Sequence, residues 1–179
     1  GSIEAAVAVN DALRQCEEID ADSVGLLGYS VGSIPAACLA GRNDQLSRVC
    51  LLSPTTPNDL ANRLGKMKET APVIDEHWRN ADFRRSLKSV AAANDLAAHD
   101  RPTLVLHGAA DKLVPSEVSQ SYLQAIELAG HEVEHVLVAR GNHVFSDAAI
   151  RTSCVEQIIR FFEQMRPASR SSSVKARSA

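Results

Sequence analysis

Four short segments rich in apolar residues punctuate the chain, near 23–28, 47–53, 102–107 and 133–138. Segments of this length bounded by polar or turn residues predict strands, those at 23–27 and 101–108 buried. Between them apolar side chains recur every three to four positions, the period of a helix with one inward face. Ile3, Val7, Leu13, Cys16 and Ile19 predict a first helix from Ile3 to about Ile19, with Glu17, Glu18 and Asp20 outside. Small residues from Ser33 to Ala40 predict a second helix, closed by Gly41, with Pro35 in its first turn, where a missing N–H costs little. A helix carrying Tyr122, Leu123, Ile126 and Leu128 is expected between Ser116 as N-cap and Gly130 as stop. A last helix, capped by Ser146 or Asp147, should turn Ile150, Val155, Ile158, Ile159 and Phe162 inward. From about 55 to 100 no strand is visible. Leu60, Leu64 and Met67, then Trp78, Phe83, Leu87 and Val90, repeat at helical intervals and predict a small helical insert between two strands. Strands alternating with helices predict an α/β fold built on a parallel sheet of about four strands.

The junction of the first strand and second helix reads Gly28-Tyr29-Ser30-Val31-Gly32, a G-x-S-x-G pentapeptide. A serine at the tip of a sharp strand-to-helix turn has its Oγ thrust into open space, and the close passage of neighbouring backbone calls for glycine on either side. Ser30 is therefore the candidate nucleophile, or else a chance match to a short pattern. A serine hydroxyl needs a base, and the base an orienting carboxylate. The strand Pro102 to His107 opens into a loop that presents Asp111, and the strand ending at Val138 opens into a loop that presents His143. Both lie beyond strand carboxyl ends, where open α/β sheets gather their reactive groups. Asp95 and Asp100 precede the strand and belong at its other end. His107, beside Gly108, reads as a structural hydrogen-bonding residue; His77, His99, His131 and His135 read as surface or packing residues.

On Gly28-Tyr29-Ser30-Val31-Gly32, the His107-Gly108-x-x-Asp111-x-x-Val114-Pro115 string and Gly141-Asn142-His143, spanning residues 23 to 145, the chain resembles the C-terminal part of an α/β-hydrolase-fold serine hydrolase. The resemblance implies Ser30 as nucleophile, His143 as general base and then acid, Asp111 as the group that sets the imidazole tautomer, and the Val31 N–H as one oxyanion donor. It also implies that Tyr29 and Trp78 face substrate, although Trp78 and Phe83 read more simply as glue between insert helices and body. Complete members carry several strands ahead of the elbow, with a second oxyanion donor among them. Here one helix and one strand precede Ser30 and no initiator Met is present, so the expectation is a fragment of a longer protein: half of the family's sheet, with the elbow strand at an open edge. The activity implied is hydrolysis of a carboxylic ester or thioester on a small-molecule acyl substrate through an acyl-serine. A prolyl-oligopeptidase-like peptidase is the alternative within enzymes, and a non-catalytic, partner-binding piece the alternative outside them.

Composition narrows the rest. At 179 residues, 45% hydrophobic and 23% charged, there is material for one globular unit over residues 1–165, and 4% aromatic content assigns its core to Ala, Val, Leu and Ile. The net charge is -3 although the segment 166–179 adds four basic residues and no acid. The remainder is thus more acidic still, which argues against nucleic acid as a partner. That low-complexity tail is expected to lack fixed structure. Arg79, Arg84, Arg85 and Lys88 read as a solvated helix face, or as a surface for a phosphopantetheine or carrier-protein substrate. Cys16, Cys38, Cys50 and Cys154 have neither metal-ligand nor C-x-x-C spacing and read as reduced packing residues of a cytoplasmic protein. No H-E-x-x-H pattern, cofactor motif, secretory signal or membrane-length apolar run is found, and no feature specifies an oligomeric state.

Overall fold

The computed structural model describes the chain apart from residues 1, 21–22, 44–45, 67–77, 79 and 165–179. Expectations for Met67, His77, Arg79 and the segment 166–179 fall outside the described residues. Four strands, β1 (Gly25–Tyr29), β2 (Arg48–Leu52), β3 (Thr103–Gly108) and β4 (Val133–Val138), form one sheet in the order β1-β2-β3-β4. All three pairings are parallel, with Leu27, Cys50, Leu104 and Glu134 in one row across the sheet. Each predicted apolar run is a strand, and the elbow strand β1 stands at an edge. The helices are α1 (Ser2–Arg14), α2 (Ser33–Ala40), α3 (Pro57–Lys66), α4 (Ala81–Lys88), α5 (Ala92–Ala97), α6 (Gln120–Leu128) and α7 (Ala148–Glu163).

Side chains alternate between sheet faces with a period of two. Val49, Leu51 and Val105 join Ile34, Leu39, Leu60, Leu96, Tyr122 and Ile126 in the larger core under α2, α3, α5 and α6. Cys50, Leu104 and Leu106 point the other way, onto Phe161 and Cys154 of α7. Each fully buried Leu or Phe stabilises the fold by about 1.5–3 kcal/mol. Leu27 shares the α7 face but lies on β1, beyond that helix, and is 43% exposed. α3 and α4 pack on each other, whereas α5 packs between α2 and α6.

Several boundaries differ from the sequence reading for identifiable reasons. α1 stops at Arg14 and the chain continues through i→i+3 bonds from Gln15, Cys16 and Ile19. Further helix would have placed Glu17, Glu18 and Asp20 at its negative end. Leu13, still within α1, and Cys16 beyond it are both exposed, so Cys16 is not a packing residue; Cys38, Cys50 and Cys154 are free and buried. Burial pushes the Cys38 and Cys50 thiols up to about 12, leaving them unreactive. Ser116 opens a 3-10 turn, Ser116–Ser119, without capping it, and Leu128 points to solvent. In α7 the inward stripe is Ile150, Cys154, Ile158 and Phe161, spaced 4, 4 and 3, with Phe162 partly buried beside it as expected, while Val155 and Ile159 face out. Asp147 is the cap, accepting N–H groups from Ala149 and Ile150.

The elbow's two glycines are not equivalent. A Cβ on Gly28 would meet the Ala36 Cβ at 2.6 Å and the Ser33 Cα at 2.8 Å, whereas one on Gly32 would meet nothing within 4 Å. The close crossing of strand and helix therefore calls for glycine only on the strand side, a correction to the symmetric expectation. Gly28→Ala is expected to destabilise by about 1–3 kcal/mol and Gly32→Ala by less than roughly 0.5 kcal/mol. Urea unfolding of the two variants beside the wild type checks this, and equal losses would contradict it.

Candidate active site

Because the sheet is all parallel, its strand carboxyl ends lie along one rim, and the loops after β1, β3 and β4 meet there. Ser30 follows β1 directly with φ 52, a left-handed conformation that a residue with a Cβ rarely adopts. Two hydroxyls hold it. Ser33 Oγ lies 2.6 Å from the Ser30 carbonyl oxygen and 2.9 Å from that of Thr55, and it accepts the Thr55 N–H at 3.1 Å. Tyr122 donates from α6 to the same Thr55 carbonyl at 2.9 Å. Thr55 Oγ1 in turn donates to Asp59, which Arg63 engages at 2.7 Å.

Asp111 is buried in the loop after β3. Its Oδ1 accepts the N–H groups of Leu113 and Val114, both at 2.9 Å. Its Oδ2 faces two imidazoles, His143 Nδ1 at 2.7 Å and His107 Nε2 at 3.2 Å. Burial alone would raise this carboxyl, but the Val114 N–H, His143 and the Leu113 N–H outweigh it and hold the group below its ordinary range. Gly108 sits so close under Gly141 that a Cβ there would strike the Gly141 carbonyl. The Ala109 and Ala110 N–H groups donate to Val138 and Gly141, binding the Asp111 loop to the loop that carries His143.

The His143 Nε2 lies 2.9 Å from Ser30 Oγ. Since Nδ1 faces a carboxylate it carries the proton, so Nε2 is free to accept from the serine hydroxyl. The Tyr29 hydroxyl donates to the His143 carbonyl at 3.0 Å, and the two rings stack with centroids 5.6 Å apart. Burial and then the Asp111 charge raise the Tyr29 phenol, keeping it a donor. Phe145, with φ 48, plugs the loop into the core against Leu106 and Cys154.

The structure thus brings Ser30, His143 and Asp111 together in series. It places Tyr29 against His143 with an exposed face, and Val31 at the first turn after the strand, where an N–H finds no carbonyl within its own helix. Trp78 packs edge-on to Phe83 at 5.3 Å and against the larger core. Sequence reasoning passed over Ser33, Thr55, Tyr122 and Ser119. Their only signal is that three are small hydroxyl residues near a turn. Among the described residues no cluster of three His, Cys, Asp or Glu side chains could hold a metal ion, and no helix is long and apolar enough to cross a membrane.

A parallel α/β sheet whose strained elbow serine meets a histidine and a buried aspartate on one rim has the fold of the α/β-hydrolase serine hydrolases. The chain belongs to the prolyl oligopeptidase family, which its sequence matches over residues 2–167. Among solved structures it is similar to an esterase domain of a Rhodothermus marinus protein, at 20% identity and TM-score 0.69, covering 90% of this chain and 68% of that one. It is also similar to a puromycin-hydrolyzing peptidase of Mycobacterium tuberculosis, at 17% identity and TM-score 0.72, covering 93% of this chain and 26% of that one. The acylaminoacyl peptidase of Pyrococcus horikoshii is matched at 17% identity and TM-score 0.65, over 89% of this chain and 27% of that one. Identities this low speak to fold, and the chain spans about a quarter of either peptidase. A comparison with curated proteins finds no match.

The depressed Asp111 carboxyl makes a pH prediction. A group whose folded pKa lies below its unfolded value of 3.8 contributes stability that is fully present above that value and is lost as pH falls through the folded one. Asp111→Asn is expected to flatten that part of the acid limb of a stability-versus-pH curve measured by urea titration. An acid limb below pH 4 identical to that of the wild type would contradict the assignment.

Proposed function

We propose that the chain is a serine acyl hydrolase that works through an acyl-Ser30 intermediate. The observation that carries the reading is the unbroken series Ser30 Oγ, His143 Nε2, His143 Nδ1, Asp111 Oδ2, with separations of 2.9 Å and 2.7 Å at its two hydrogen bonds. In the first step Ser30 Oγ bonds to the substrate carbonyl carbon while its proton passes to His143 Nε2. The Val31 N–H donates to the developing oxyanion. Collapse of the tetrahedral species breaks the bond to the leaving group, which takes the proton from Nε2. Water then repeats the sequence on the acyl-serine, with His143 again the base, and releases the acid. Asp111 stabilises the imidazolium formed at each stage.

The side chains flanking the three residues indicate the substrate class. Tyr29 and Val31 beside Ser30, Leu113 near Asp111 and Val144 beside His143 all leave large apolar surface in solvent. Exposed apolar groups flanking a polar site suit an apolar acyl or alcohol moiety. We therefore favour a carboxylic ester as substrate, a thioester being the nearest variant. A second reading, hydrolysis of a peptide or acylated amino-acid amide, is favoured by membership of the prolyl oligopeptidase family.

Labelling by a fluorophosphonate probe tests the common chemistry, and should be abolished in Ser30→Ala and slowed on the order of 10³-fold or more in His143→Ala. A panel of p-nitrophenyl esters against aminoacyl p-nitroanilides then separates the readings, with turnover of short apolar esters expected. Folded protein that neither labels nor turns over either panel would instead indicate a non-catalytic, partner-binding role.

A further inference from the structure

A second imidazole touches the carboxylate of the site. His107, the penultimate residue of β3, is fully buried, and both its ring nitrogens are engaged. Nε2 faces two acceptors that carry no proton of their own, Asp111 Oδ2 at 3.2 Å and the Val114 carbonyl at 3.0 Å. Nε2 must therefore bear the hydrogen and share it between them. Nδ1 is then the acceptor, and Ser119 Oγ donates to it at 2.6 Å. The two acceptors at Nε2 thus determine the tautomer, and the Ser119 hydroxyl, which can donate or accept, donates to match it. Burial holds His107 below the ordinary imidazole value, so it stays neutral. The described titratable groups acting on this assembly are Asp111, His143 and Tyr29.

We infer that His107, its Nε2–H tautomer fixed by the acceptors it faces and matched at Nδ1 by Ser119, is a positioning residue for Asp111: it occupies the second lone pair of Oδ2 and so limits how strongly that oxygen can hold the His143 imidazolium. Asp111 then has four donors, two per oxygen, and no freedom to turn away from His143. Withdrawing the His107 donor leaves Oδ2 to His143 alone. The carboxylate becomes more basic toward the imidazolium, its orientation loosens, and base strength and alignment at Nε2 change together.

This inference rests on the acyl-hydrolase reading, and its test uses one readout that depends on that reading and one that does not. In His107→Leu the rate of fluorophosphonate labelling is expected to fall roughly tenfold, and the acid limb of the labelling-rate profile to move to higher pH by about half a unit. His107→Gln, which can still present an N–H toward Asp111, should recover most of the rate and return the limb toward its original position. Loss of rate in both variants to the same degree, with the limb unmoved, would reduce His107 to a packing residue and overturn the inference. The independent readout is ¹⁵N NMR of the unmodified protein, which should show His107 as the Nε2–H tautomer and His143 as the Nδ1–H tautomer with a low-field proton. An Nδ1–H tautomer at His107 overturns the inference even if His107→Leu does not fold. Correct tautomers in a protein that never labels would leave the hydrogen-bonded assembly standing and remove the hydrolase reading instead.

Discussion

A buried ionised carboxylate is tolerated only when its oxygens are fully hydrogen-bonded, because an uncompensated charge in the interior costs several kcal/mol. Asp111 meets that demand with donors from three pieces of chain: the N–H groups of its own loop, the imidazole of His107 at the end of β3, and the imidazole of His143 from the loop after β4. Satisfying the charge therefore shapes the turn from 111 to 114, anchors it to the strand, and draws the His143 loop onto the same rim. The orientation of His143 toward Ser30 follows from that electrostatic requirement.

Backbone strain collects at the same rim. Ser30, Ser53, Arg140 and Phe145 all have positive φ, at a cost of order 1 kcal/mol or more each. Three of these four lie at or within three residues of Ser30 or His143. Such conformations persist only where surrounding contacts over-determine them, and the contacts are identifiable. The Ser33 hydroxyl, the Thr55 backbone and Tyr122 hold the Ser30 carbonyl region, while Phe145 is locked by burial on Leu106 and Cys154. Rigid placement of this kind aligns donors before reaction, which is where electrostatic stabilisation is most effective.

What could be read from the chain alone follows the range of the interactions involved. Apolar-rich segments marked β1 to β4, although only β3 is buried throughout and β1 and β4 keep exposed positions, and once the strands were placed their carboxyl ends brought Ser30, Asp111 and His143 to one side. Features decided by contacts between distant segments were not legible. The doubled apolar pair Ile158-Ile159 of α7 fits two helical faces equally, and only packing on Cys50, Leu104 and Leu106 selects Ile158, together with both Phe161 and Phe162. Gly32 looked as constrained as Gly28 because the pattern is symmetric while the crossing of strand and helix is not. Tyr29 drew attention as a substrate contact through its place beside Ser30; its hydroxyl is committed to the carbonyl of a residue 114 positions away, a partner no local pattern reveals.

The position of β1 makes the polar contacts around Ser30 decisive. β1 has β2 as its one strand neighbour among the described residues, so half of its backbone groups lack a ladder. An edge strand would be a loose mount for a strained serine if the sheet were its main support. The elbow is instead fastened from the other side: Gly28 lets α2 cross in contact with the strand, and Ser33 on that helix reaches back to the Ser30 carbonyl. Thr55, entering from the loop after β2, is itself gripped by Tyr122 of α6 and by the Asp59–Arg63 pair of α3. Ser30 is thus held by a helix, a neighbouring loop and two further helices, and its geometry depends on those contacts more than on the pairing of the strand that carries it.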